Sequence, residues 1–197
     1  MIPVLTGLGL AAASGLNAWA VLLVFNGLAR LLPQDFPGGV TPFLTSPFVI
    51  DLALALFLIE FVVNKIPFAD RFWEASNSVL RPAVGALLAL ACLPETTPLV
   101  RILVGAAAAV VTFASHAAKS ATRMTSTAAT RGLAQFALSL TEDLVAVVLA
   151  ALLFFQPWFT IFFLGALLIS IGMHWPRVRR GLAVLFFRLQ HPRRHQA

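Results

Sequence analysis

Eight polar side chains in an otherwise apolar chain could do chemistry: Asn17, Asp51, Glu60, Arg81, His116, Lys119, Glu142 and Asp143. Paired acids and bases with a histidine nearby are what proton or cation coupling needs, because coupling requires a group that can change charge within reach of a solute. On one apolar stretch Thr112, His116, Lys119 and Arg123 follow each other at spacings of four, three and four, which places them on one helical stripe. On the next, Ser139, Glu142 and Asp143 share a face, so ion pairs between Lys119 or Arg123 and Glu142 or Asp143 are easy to form. Asp51 and Glu60 are about half a turn out of phase on their helix and need different partners. Arg81 is the natural partner of Glu60, and Asn17, with Ser14 one turn earlier, can hydrogen-bond across helices. The same residues could equally fix packing, since a buried ion pair or an interhelical amide bond does so without any traffic of ions.

Enzymatic chemistry is not expected. The chain has no Ser/His dyad, no zinc-type His-Glu-x-x-His and no Asp-x-x-Asp motif, so it implies no catalytic residue, cofactor or resident metal. Metal transport is disfavoured as well, because His116 is the one histidine inside the bundle on this reading, His174 falling at the last residue of the sixth stretch, and no thiolate accompanies it. Cys92 is the only cysteine and can form no intramolecular disulfide.

The elements that must hold these groups are apolar. Of 197 residues 59% are hydrophobic and 11% charged, with mean hydropathy +0.90, against roughly 25% charged in a soluble domain. This reads as an all-α polytopic membrane protein. Six spans are expected, at about 4–31, 47–64, 78–93, 98–121, 138–155 and 158–174, separated by turn formers such as Leu32-Pro33-Gln34-Asp35-Phe36-Pro37-Gly38-Gly39. The long first and fourth stretches leave room for tilt, a kink near Gly15, or re-entry. Nothing basic precedes the first stretch, so it reads as a span and not as a cleaved signal.

An even number of spans puts both termini on one side, and the arginines make that side cytoplasmic. Arg177, Arg179, Arg180, Arg188, Arg193 and Arg194 lie in the tail. Lys65, Arg71, Arg81, Lys119, Arg123 and Arg131 fall on the same face, against Arg30 and Arg101 opposite. The chain thus divides into a transmembrane domain over 1–175 and a basic cytoplasmic tail over 176–197. In the tail, Val178, Leu182, Leu185, Phe186 and Leu189 mark an amphipathic helix over 177–190 suited to anionic lipid headgroups. Trp158 and Trp175 would bracket the last span. The formal net charge of +6 does not point to nucleic acid, since no zinc-finger spacing or aromatic RNA-binding motif accompanies it.

Three short echoes run in the same order through both halves: Ala13 to Asn17 with Ala114 to Lys119, Asp51-Leu52-Ala53 with Asp143-Leu144-Val145, and Gly85-Ala86-Leu87-Leu88 with Gly165-Ala166-Leu167-Leu168. Repeats over 1–95 and 96–175 would make a 3+3 inverted topology, as in many secondary transporters. Chance matching in a Leu/Ala-rich chain is the alternative. Small residues at Gly7, Ala11 and Gly15, and at Ala106, Val110, Ala114 and Ala118, allow close helix approach within the monomer or between copies in a homo-oligomer.

Gly7 to Ala18, Glu60-Phe61-Val62-Val63-Asn64-Lys65-Ile66-Pro67, Asp70 with Trp73, Arg81-Pro82-Ala83-Val84-Gly85, Ser115-His116-Ala117-Ala118-Lys119 and Ser139-Leu140-Thr141-Glu142-Asp143 resemble a bacterial membrane family catalogued as domain of unknown function 4126. The resemblance implies a polytopic fold in a bacterial inner membrane and supplies no activity, cofactor or substrate. The family's recurrent polar positions map to Glu60, Lys65, Asp70, Arg81, His116, Lys119, Glu142 and Asp143. The family often carries a basic residue where Asn17 stands, and the segment between Arg123 and Gln135 lacks its usual Ser-Pro turn. The expected function is a transporter or permease for a small solute or lipid-linked metabolite, proton- or cation-coupled through buried carboxylates. The alternative is a structural or assembly protein whose charges are packing locks and whose tail recruits anionic lipid or a partner.

Overall fold

Proline opens three of the long helices, as suits first-turn positions whose amides have no intrahelical acceptor. A computed structural model describes residues 2–63, 67–126, 133–170 and 172–173, and no strand occurs among the described residues. The elements are α1 (Ile2–Ser14), α2 (Ala18–Leu31), a 3-10 turn (Pro33–Asp35), α3 (Thr41–Leu44), α4 (Pro47–Val63), α5 (Pro67–Cys92), α6 (Pro98–Ser126) and α7 (Leu133–Phe155), then α8 (Phe159–Ser170).

The stretch expected as one span over 4–31 is instead a hairpin. Ile2, Pro3 and Thr6 line the same cavity as Leu32, Gln34 and Asp35, so the start of α1 lies beside the end of α2 and Gly15–Asn17 is the tip. The residues there explain the reversal. Gly15 and Leu16 donate to the Ala12 and Ala13 carbonyls at 3.2 and 2.9 Å, tightening the last turn of α1. Asn17 then leaves the helix at φ −150° and ψ 102°. Its side-chain Oδ1 accepts from the Trp19 and Ala20 amides at 3.1 and 3.0 Å and so caps α2. At about 1.5 Å per residue each arm is roughly 20 Å long, short of the roughly 30 Å of bilayer hydrocarbon.

α1 is the central element. It packs against α5, α6 and α7, while α2 packs against α4 and α7. Leu10, Ala11, Ala12 and Ala13 are fully buried, all round the helix. Close approach needs small side chains. A Cβ on Gly15 would lie 2.5 Å from Ser115 Cβ and 2.6 Å from the Thr112 carbonyl, and one on Gly7 would lie 2.9 Å from Ala89 Cα. The stripe Gly7, Ala11, Gly15 therefore packs within the chain. At the opposite end from the tip, Phe36 sits between Phe25 and Phe154, with ring centroids 4.8 and 5.1 Å away, and the Gly38 amide donates to the Ala91 carbonyl at 2.9 Å.

Other expectations shift too. The third span, expected from 78, belongs to a helix that begins at Pro67; its first turns are polar, so hydropathy alone misses them. The paired echoes occupy unlike surroundings. Gly15–Asn17 breaks a helix whereas Ser115–Lys119 lies inside unbroken α6. Asp51 is exposed while Asp143 is buried, and Gly85 is pressed against Thr112 while Gly165 has open space. As helices, a hairpin followed by α4 to α8 does not divide into two like sets, and the N-terminal end of α1 lies at the end of the bundle opposite the hairpin tip. The tail helix expected over 177–190, and Trp175, lie outside the described residues.

Two helical segments, Trp73–Cys92 and Pro98–Ser120, are long and apolar enough to cross a membrane. Large apolar side chains, including Phe48, Leu58, Leu103, Phe113, Leu144 and Val148, face outward from α4, α6 and α7.

The tip packing sets a contrast between two glycines. Gly15→Ala should lower stability by about 1–3 kcal/mol through overpacking on α6. Gly27→Ala, with nothing within 4 Å of the new methyl group, should gain up to about 1 kcal/mol of helix stability. Thermal melts in detergent check this, and equal midpoints for the two variants would show that the tip does not seat against α6.

Candidate functional site

The polar groups converge on the hairpin tip, and backbone chemistry explains why. The last carbonyls of α1 have no helical donor, and the negative end of the α1 dipole adds to their need for a cation. Arg81 from α5 donates through Nη1 to the Gly15 carbonyl at 3.0 Å. Lys119 from α6 donates to the Leu16 carbonyl at 2.6 Å. On the other arm, Asn17 donates through Nδ2 to Asp143 Oδ1 of α7 at 2.8 Å, which sets a carboxylate beside the positive N-terminus of α2.

Arg81 is fully buried. Its Nη2 meets Glu60 Oε1 of α4 at 2.7 Å, and Glu74 Oε1 lies 4.0 Å away; Asn77 Nδ2 reaches Glu60 Oε2 at 3.5 Å. The expected pairing of Arg81 with Glu60 is thus present. Arg81 Nη1 also lies 2.7 Å from His116 Nδ1. Arginine has no acceptor, so in this contact Nδ1 must carry the lone pair and Nε2 the proton, a neutral imidazole. Nε2 faces Ser78 Oγ at 3.2 Å and Glu74 Oε2 at 3.5 Å. Ser78 spends its own proton on the Glu74 carbonyl at 2.9 Å, so its oxygen is open to accept from Nε2. In this tautomer His116 cannot take a proton from Ser78, and the pair does not make an activated nucleophile.

Lys119 also lies 3.3 Å from Glu142 Oε2, one of the pairs expected from spacing. Thr112, on the same stripe, donates to the Ala11 carbonyl at 2.8 Å. Ser120 donates to Glu74 Oε2 at 3.1 Å. The side chains of Glu74 and Glu142 keep 19% and 16% of their surface accessible, so the cluster reaches the surface through two carboxylates while its cations stay inside.

Of the residues singled out from sequence, Asn17, Glu60, Arg81, His116, Lys119, Glu142 and Asp143 are brought together. Asp51 is not: it is exposed near the start of α4, roughly 13 Å along the helix from Glu60. Lys65 and the side chains of Asp70 and Arg123 lie outside the described residues. Sequence reasoning missed Glu74, Asn77 and Ser78. Their signal was present, since Glu74, Asn77, Ser78 and Arg81 fall at i, i+3, i+4 and i+7 once α5 is taken back to Pro67. It also missed the two tip carbonyls, which have no sequence mark beyond Gly15 and Asn17.

Removing one member of the buried pair strands the other. Glu60→Gln should cost about 3–5 kcal/mol. The double variant Glu60→Gln with Arg81→Met should recover only part of that, because Gly15 and His116 lose their donor as well; full recovery in chemical melts would show that Arg81 does not hold the tip. Asn17→Ser should keep the α2 cap and lose the reach to Asp143, so it should melt above Asn17→Ala, which loses a cap of about 1 kcal/mol.

No curated protein and no solved structure matches this chain. A family model described as Domain of unknown function (DUF4126) matches residues 4–177, a stretch that takes in the hairpin and every side chain of the cluster, and the chain belongs to that family.

Proposed function

We propose that the protein is a polytopic membrane transporter or permease for a small solute, with the tip of the α1–α2 hairpin as its working site. The observation that carries the reading is a helix pair too short to cross a bilayer whose tip is held by ionisable side chains from α5, α6 and α7, with Glu60 of α4 behind Arg81. Irregular backbone at membrane depth is tolerated where protein buries it or where it lines a cavity, and half-helix ends are where transporters handle ions. The inverted distribution of polarity supports membrane embedding. Leucines, valines and phenylalanines face outward while Arg81, Glu60, His116, Lys119 and Asp143 are buried, and such groups are costly in lipid unless they have work or partners.

In this reading α4 to α8 make five crossings of a bacterial inner membrane, and α1–α2 re-enters from the outer side. Lys65 and Arg131 then fall between helices on the cytoplasmic side, Arg71 and Arg123 belong to the cytoplasmic ends of α5 and α6, and Arg30 and Arg101 are outside. The arginine-rich tail is cytoplasmic and faces anionic headgroups. The N-terminus and C-terminus therefore lie on opposite sides. Reporters fused to each end of the chain should report opposite compartments, and cytoplasmic signals from both would restore six crossings.

A second reading has its own observation. Each cation of the cluster is engaged directly by a carboxylate and a tip carbonyl, as a packing lock in a structural protein would be. Currents on supported membranes separate the two. Rapid addition of pooled small solutes should evoke transients from the wild type, and Glu74→Gln, at the accessible edge of the cluster, should reduce them at least tenfold with its melting midpoint within about 2 °C. Absence of any solute-evoked current in the wild type would favour the lock.

A further inference from the structure

Four carboxylates surround the hairpin tip, and three of them meet a base. Glu60 pairs with Arg81, Glu74 lies against His116 and Arg81, and Glu142 pairs with Lys119. Asp143 differs. It is 7% exposed, its bonding partner is the neutral amide of Asn17 through Oδ1, and among the described residues no cation lies within ion-pair distance of it. An ionised carboxylate out of water needs a counter-charge, and where the protein supplies none an ion from solution can.

A second observation marks the same place. Ser139, 3% exposed, has a buried hydroxyl oxygen with no hydrogen-bond partner. It precedes Asp143 by one helical turn on the same side of α7. A buried hydroxyl without a partner is unusual and calls for a reason. Asn17 from the tip bonds Asp143 directly; the neighbouring Glu142 on α7 pairs instead with Lys119 from α6, which the Leu16 carbonyl also holds.

Resting on the transport reading, we propose that Asp143 and Ser139 form a site for a monovalent alkali cation beside the tip of the hairpin. One carboxylate and one neutral hydroxyl oxygen match one positive charge and the oxygen preference of a hard ion. Among the described residues no group of three or more His, Cys, Asp or Glu is disposed to hold a metal ion, which disfavours a multivalent one. Occupancy has a direct mechanical consequence. The ion would hold the Asp143 carboxylate, Asp143 Oδ1 orients the Asn17 amide, and the oxygen of that amide caps the Trp19 and Ala20 amides. A bound cation therefore steadies the N-terminus of α2, and its departure loosens the tip.

The test uses the full chain in nanodiscs at fixed pH and ionic strength, with sodium or potassium chloride against choline chloride. An alkali salt at ten times its Kd should raise the melting midpoint by roughly 3 to 6 °C and slow hydrogen exchange at the Trp19 and Ala20 amides. Asp143→Asn, which keeps an acceptor for Asn17, should abolish both effects. Ser139→Ala, which deletes one hydroxyl and is the milder change, should weaken cation binding at least tenfold, and Asp51→Asn should leave it intact. Equal midpoints in choline and alkali salts, or an alkali effect that survives Asp143→Asn and Ser139→Ala, would overturn the site. Stabilisation by acid in choline with no alkali effect would assign the position to a proton and overturn the proposal as well. The two readings fail separately: an alkali effect without solute currents leaves the ion site standing and removes transport, whereas currents of equal size in choline do the reverse.

Discussion

The fold depends on how the broken backbone at Gly15, Leu16 and Asn17 is satisfied. A helix that stops in the middle of a protein exposes carbonyls at one end and amides at the other, and leaving them buried and unpaired costs about 1–3 kcal/mol each. Here the carbonyl end is met by side chains that arrive from other helices, and the amide end by the residue at the break itself. Arg81 and Lys119 take the carbonyl end of α1, and Asn17, itself oriented by Asp143, takes the amide end of α2. The positions of α5, α6 and α7 follow, because each must bring its own group to one point. The small residues along α1 follow too, since a Cβ on Gly15 would hold α6 away from the tip.

Much of the side-chain pairing was legible in the sequence because helical spacing is rigid. Thr112, His116 and Lys119 share a stripe at any helix boundary, and so do Ser139 and Asp143. The pairing of Glu60 with Arg81 was legible because both are charged groups next to apolar runs that have to be neutralised. The hairpin was not legible in the same way. Its tip is three residues between two apolar arms, so window hydropathy runs straight through it. No basic residue precedes Arg30, so charge asymmetry says nothing about which side the N-terminus occupies. Length was the available signal, since 28 residues at about 1.5 Å each exceed a bilayer core by roughly 40%. Glycine followed by asparagine, a helix stop beside a helix start, was the other.

The start of α5 shows the opposite failure. Hydropathy placed the element from residue 78, after its first polar turns, and so assigned Glu74 and Asn77 to a loop. Polar residues on a helix that ends among other helices are not evidence of a loop; they are evidence of a polar interior there. With Pro67 as the first residue, the face carrying Glu74, Asn77, Ser78 and Arg81 continues into Gly85, whose missing side chain admits Thr112. One face of α5 thus passes from a charged segment to a close-packed apolar one, and the change comes near Pro82, where the helix also lacks an amide donor.

Arg81 ties these parts into one mechanical unit. Its Nη1 serves two acceptors, the Gly15 carbonyl on the hairpin and His116 Nδ1 on α6, while Nη2 holds Glu60 on α4. A displacement of the tip would leave Nη1 to His116 alone. A proton arriving at Nδ1 would instead expel Arg81 from His116 and leave the guanidinium to Glu60 and the tip. The hairpin and His116 thus share one nitrogen of Arg81. Glu74 bridges His116 to the accessible face, so the group able to exchange with solvent is one contact away from the group that holds the hairpin. This arrangement allows a charge change at the surface of the bundle to be felt by the backbone at its centre.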